Sequence, residues 1–202
     1  MKKAHIRISA GAVIGLSALY LLLDYRTLAA LLIPIAVHEL GHLAALRLQR
    51  ARIREVRLGL SGLCITYTGR TGYGGQFFAA LAGPAAGIVF AFAAARLGTE
   101  FESGFLCSCA GISAILSAFN LLPALPLDGG RMLSSFFCAR LPLDRAEKAA
   151  AAAGILTGTL LMTAGLVLIC LGKGSGLEIA AVWLMLSQPG DTHLLVKRAG
   201  VL

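Results

Sequence analysis

The sequence predicts an all-α polytopic membrane protein with about six transmembrane helices and a short membrane-surface β-hairpin between the second and third. Three observations carry that prediction. Of 202 residues, 57% are hydrophobic and only 14% charged, with a mean hydropathy of +0.81, whereas a water-soluble domain of this size needs about 25% charged residues to cover its surface. The apolar residues gather into stretches long enough to cross a hydrocarbon layer. Nearly all the basic residues then fall on one side of the spans so defined.

The first span is the uncharged stretch Ile8 to Leu23, which crosses most of a layer about 30 Å thick if Arg7 snorkels. A cleaved signal peptide is the competing reading, because Lys2, Lys3 and Arg7 resemble its basic start, but no clear A-x-A-like site follows the apolar stretch before Asp24 and Tyr25. The second span runs from about Leu28 to Leu48 and holds His38, Glu39 and His42 near its middle. Arginines at 47, 50, 52, 54 and 57 mark its end, and the β-branched, partly alternating stretch Glu55 to Thr68 predicts the hairpin. Gly69, Gly72, Gly74 and Gly75 break the chain before a third span at about Gln76 to Leu97.

A fourth apolar segment, Gly104 to Leu122, leads into Pro123, Pro126 and Asp128, where regular hydrogen bonding must stop and resume near Gly129. Ala146 to Leu171 makes a fifth span. Leu177 to Leu186 makes a sixth, too short to cross unaided. With the amino terminus in the cytoplasm, only Arg26, Arg96 and Lys173 of the 18 basic residues lie outside. The formal charge of +8 therefore marks cytoplasmic flanks and not a nucleic-acid surface. The five cysteines form no CxxC pair and read as small buried residues. His5 and His193, near the termini, read as solvated. No repeat or appended soluble domain is visible, so residues 1–202 read as one membrane domain with a motif-bearing core at about 28–139 and peripheral helices at 8–23, 146–171 and 177–186.

The chemistry lies in the second and fourth segments. His38-Glu39-Leu40-Gly41-His42 is an HExxH sequence, and on a helix residues four apart share one face, so two imidazoles can hold one metal ion. Glu39 is offset by about 100° and can reach a water at the metal without being a ligand. Nitrogen and oxygen ligands with an open fourth position suit zinc. An HExxH on the surface of a soluble helix is often incidental. At bilayer depth each charged side chain costs about 2.5 to 3.5 kcal/mol, which makes an ionisable cluster functional by default. The best acidic candidate for a third ligand is Asp128, in the broken-helix run Asn120 to Gly130, where non-helical backbone needs a protein-lined or water-lined cavity.

HELGH at 38–42, Gly83-Pro84-Ala85-Ala86-Gly87 in the third span and NLLPALPLDGG at 120–130 together resemble the site-2 protease family of intramembrane metalloproteases. The resemblance covers about Leu28 to Leu133. It implies zinc held by His38, His42 and Asp128, Glu39 as catalytic base, and Asn120 as a hydrogen-bonding group for the substrate backbone. Gly87 departs from the family, which often has Asn there. Without PDZ or CBS domains, the layout is similar to the minimal sporulation sigma-factor-processing proteases.

The expected activity is hydrolysis of a peptide bond in or near the transmembrane segment of a membrane-anchored protein, in regulated intramembrane proteolysis. The expected setting is a prokaryotic cell membrane, with the site open to the cytoplasm. Expected partners are that substrate, the bilayer and a regulatory membrane protein. A transporter is the main rival, since broken helices and midplane carboxylates also make ion sites, but it has no need of a general base beside a metal ligand. A catalytically silent metal-binding scaffold is the other.

Overall fold

The computed structural model describes residues 5–59, 62–68 and 71–172. Among these the element order is β1 (His5–Ile8), α1 (Ala10–Leu22), α2 (Tyr25–Leu48), β2 (Arg52–Gly59), β3 (Gly62–Thr68), α3 (Tyr73–Glu100), α4 (Gly104–Asn120), α5 (Asp128–Arg140) and α6 (Leu143–Cys170). The helical fold class holds. Three helices, α2, α3 and α6, are long and apolar enough to cross a membrane, while α1 and α4 are shorter apolar helices. The predicted sixth segment, with His193, lies outside the described residues.

Large apolar side chains stand exposed along the helices, among them Ile14, Leu21, Phe78, Phe92, Ile115, Ile155 and Leu160. The buried core is mostly alanine, with Cys109, Leu46 and a few hydroxyls. A water-soluble protein rarely leaves so much contiguous apolar surface uncovered. Lipid is the solvent for this exterior, and small residues let the helix backbones approach inside it. Among the described cysteines only Cys109 is buried; Cys107 and Cys170, expected to be buried, are exposed because they stand on outward positions of α4 and α6, and Cys138 is half-buried.

Two compact units can be described. The first draws on Met1–Thr71 and Ala82–Ala118, the second on Gly72–Leu81 and Phe119–Leu202. In the first unit the expected hairpin is a three-stranded sheet of order β1-β2-β3. Strands β2 and β3 pair antiparallel, and β1 adds in parallel on the other edge of β2 with Arg7 opposite Arg57. Glu55 takes ion pairs from Arg7 at 3.4 Å and Arg57 at 3.3 Å, which offsets the like charges of the two arginines.

This pairing also shortens the first predicted span. Ile8 ends a strand, the Ser9 amide donates to the Leu58 carbonyl at 2.9 Å, and the Ser9 hydroxyl caps α1 by accepting from the Ala12 amide at 3.1 Å. The helix that follows has 13 residues, about 20 Å at helical rise. Asp24 caps α2 through the Arg26 and Thr27 amides, and its bonds to the Thr27 hydroxyl and amide hold its carboxyl below the usual range. Helix α2 buries Ala30, Pro34, His38 and Leu46, and the first three, spaced by four, lie along one face. Arg50, in the left-handed region at φ 55°, turns the chain out of α2 toward β2.

Helix α3 continues through Pro84, and its stripe of small residues lets neighbouring helices close in. A Cβ on Gly87 would meet the Ser117 hydroxyl of α4, and one on Gly98 would lie 2.8 Å from the Cys107 sulfur. Ser113, fully buried, donates to the Gly87 carbonyl at 2.8 Å across the same contact.

In the second unit the chain leaves α4 at Asn120, and the predicted break falls between Leu121 and Leu127, held by short turns such as the Ala124 amide to the Leu122 carbonyl at 2.8 Å. Gly129 and Gly130, in the first turn of α5, lie against this loop. A Cβ on Gly130 would stand 2.5 Å from the Leu125 amide nitrogen and 2.6 Å from the Ala124 carbonyl oxygen, and one on Gly129 would overlap the Leu121 carbonyl. Both obstacles are backbone. Gly130→Ala is therefore expected to destabilise the protein by about 1 to 3 kcal/mol, as overpacking does, read as a lowered thermal midpoint. An unchanged midpoint would show the loop free to move aside. Pro142 precedes α6, which buries Ala146, Ala150, Thr157, Gly158 and Gly165 in a narrow stripe.

Candidate metal centre

His38 and His42 come together as the helical spacing requires. Their Nε2 atoms are 3.2 Å apart, and the rings meet edge to face with centroids 4.8 Å apart. Zinc–nitrogen bonds of about 2.0 to 2.1 Å in a tetrahedral site put two ligand nitrogens about 3.3 to 3.4 Å apart. The pair thus fits two arms of one zinc tetrahedron without rearrangement. His38 is buried at 4% exposure, on the stripe it shares with Ala30 and Pro34.

Glu39 follows one residue later and is half-buried, turned by about 100° from His38 around the helix. Two glycines govern how closely α3 lies against this helix. A Cβ on Gly41 would lie 2.5 Å from the Ala82 carbonyl oxygen and 2.8 Å from the Ala86 Cβ. A Cβ on Gly83 would lie 2.5 Å from Cε1 and 2.8 Å from Cδ2 of His42, and closer still to its Nε2. Nothing in the sequence showed that Gly83 faces a candidate ligand. The GPAAG motif was the available signal.

Asp128 is the first residue of α5 and is buried at 5% exposure. Its carboxylate lies at the positive end of the helix dipole, with the Arg131 guanidinium 4.0 Å away on the next turn. Leu127 provides no side-chain cap there. Asn120, half-buried, ends α4 at the other end of the same broken segment. The loop thus brackets the two polar candidates, one at each helix terminus.

Residues 99–163 match the model of Peptidase family M50. A Synechocystis sp. protein named as a zinc metalloprotease, sll0528, is 31% identical over 120 residues, which are 56% of this chain and 32% of that one. Rip3 of Mycobacterium tuberculosis, likewise named as a zinc metalloprotease, is 32% identical over 184 residues, 83% of this chain and 44% of its own length. The chain thus spans less than half the length of these relatives. The site-2 protease of Methanocaldococcus jannaschii has a similar fold, with a TM-score of 0.67 over 100% of this chain and 94% of that one, at 18% identity.

Fold and motif define the class: a polytopic membrane protein with the site-2 protease fold. Within that class, this chain carries a Peptidase family M50 segment that takes in both Asn120 and Asp128, and it is homologous to proteins named as zinc metalloproteases.

Proposed function

We propose that this chain is an intramembrane zinc metalloprotease that hydrolyses a peptide bond in or near the transmembrane segment of a membrane-anchored protein. The observation that carries the reading is the His38–His42 pair, 3.2 Å between ligand nitrogens, on an apolar helix of membrane-spanning length. Isolated imidazoles and a carboxylate are costly there unless they perform chemistry.

In this reading His38, His42 and Asp128 hold the metal. Zinc, when bound, supplies Lewis acidity that makes a water more acidic and polarises the scissile carbonyl. Glu39 removes the proton from the attacking water and then delivers it to the leaving amine, so one carboxylate serves both halves of the hydrolysis. Asn120 donates from its side-chain amide to the substrate backbone and keeps the cleaved bond extended.

A substrate helix hides its peptide groups in its own hydrogen bonds, so it must be unwound before attack. Central strand β2 has both edges occupied. The outer edge of β3 is where an extended segment would add by strand pairing. The amino terminus faces the cytoplasm, since the arginines from Arg47 to Arg57 follow α2 directly. His38 then lies about 14 Å from that rim at helical rise, and water enters from the cytoplasmic side. The setting is a prokaryotic cell membrane, the process is regulated intramembrane proteolysis, and a second membrane protein controls access.

The test is cleavage of a membrane-anchored reporter by the purified chain with zinc. Chelation with 1,10-phenanthroline is expected to stop cleavage and added zinc to restore it. Equal cutting with and without chelator, or no cutting together with no bound zinc by metal analysis, would overturn the reading.

A further inference from the structure

Gly41, Gly83 and Gly87 all sit at close helix contacts in the first unit, and what each one faces differs. A methyl group on Gly41 would run into backbone, the Ala82 carbonyl. One on Gly87 would meet a serine hydroxyl, that of Ser117, which can rotate away. For Gly83 the three nearest atoms all belong to the imidazole of His42. That ring is the movable end of a side chain, and turning it about χ1 and χ2 relieves the overlap while both helix backbones stay in place.

We propose that Gly83 is a positioning residue for the metal centre: the space left by its missing side chain holds the His42 ring in its ligating orientation. The inference rests on the zinc reading above and deepens it. A ring turned to clear a methyl at 83 carries its Nε2 off the point that it shares with the Nε2 of His38. The damage therefore falls mainly on metal affinity, and the displaced ring costs the metal-free fold only a small drop in thermal midpoint. Gly83 also restricts the ring before metal arrives, so less rotamer freedom is lost on binding.

The experiment compares the purified full chain with Gly83→Ala and Gly87→Ala. Zinc affinity is measured by competition with a chromogenic chelator, site geometry by the visible absorption of the cobalt-loaded protein, and fold by circular dichroism and thermal midpoint. Gly83→Ala is expected to keep its helicity, lose about 10- to 100-fold in zinc affinity, as supporting-shell changes do, and shift the cobalt bands. Gly87→Ala is expected to bind both metals like the parent.

A second comparison does not depend on metal. Adding Gly83→Ala to His42→Ala is expected to lower the thermal midpoint no further, because the ring it would strike is gone. Unchanged zinc affinity and cobalt bands in Gly83→Ala, equal zinc loss in Gly87→Ala, or an undiminished penalty in the His42→Ala background would each overturn the proposal. A parent chain that binds neither metal would instead overturn the zinc reading itself. The two failures are therefore distinguishable.

Discussion

Glu39→Gln is expected to lower reporter cleavage by about 10²- to 10⁴-fold, the range that general acid–base groups contribute, while zinc content and helicity stay at the parental level. Glutamine keeps the length and shape of the side chain but has no basic oxygen, so it can neither accept a proton from water nor pass one to the leaving amine. Glu39 is half-buried and one residue from His38, which places it beside the proposed metal ligands and turned away from their face. Joint measurement of turnover and zinc separates these roles. Cleavage within about 10-fold of the parent would remove Glu39 as the base. Loss of zinc along with activity would instead place it among the ligands.

Asp128→Asn is expected to weaken zinc binding by more than about 100-fold, beyond the usual effect of an outer-shell change, and to abolish cleavage at ordinary zinc concentrations. Asparagine occupies nearly the same volume, so the contacts of Gly129 and Gly130 with the preceding loop are not disturbed. It also remains acceptable at the start of a helix. What it lacks is the anionic oxygen that zinc takes as a ligand. The competing explanation is that Asp128 merely complements the α5 dipole and Arg131, 4.0 Å away. A structural role of that kind would lower the thermal midpoint and leave zinc affinity unchanged, which would remove Asp128 from the ligand set.

Much of the candidate site was legible because it is written in local periods. The four-residue spacing of His38 and His42 is one helical turn, and the helix forms whatever packs beside it. Pro123, Pro126 and the Gly129-Gly130 pair announce a break by steric necessity, and the helix does resume at Asp128. The apolar stretches that became α2, α3 and α6 exceed what a soluble core needs, so their length alone pointed to lipid.

Other features had no local signature. His5–Ile8 reads as the flank of an apolar helix, and it becomes a strand because β2, more than 40 residues away, offers it an edge. Pairing satisfies backbone groups that would otherwise need water, and it moves the start of α1 to Ala10.

Residue order alone pointed to a polytopic apolar chain, a helix face with two histidines spaced to share a metal, and a broken segment ending in an acid, because helical period, chain length and proline stereochemistry act over a few residues. Only the packed molecule decided that β1 completes a three-stranded sheet and that the imidazole of His42 rests on the bare backbone of Gly83. Those contacts join parts of the chain that share no hydrogen-bonding turn. They form where small residues let two helices approach, and that distance is set by the fit of whole surfaces.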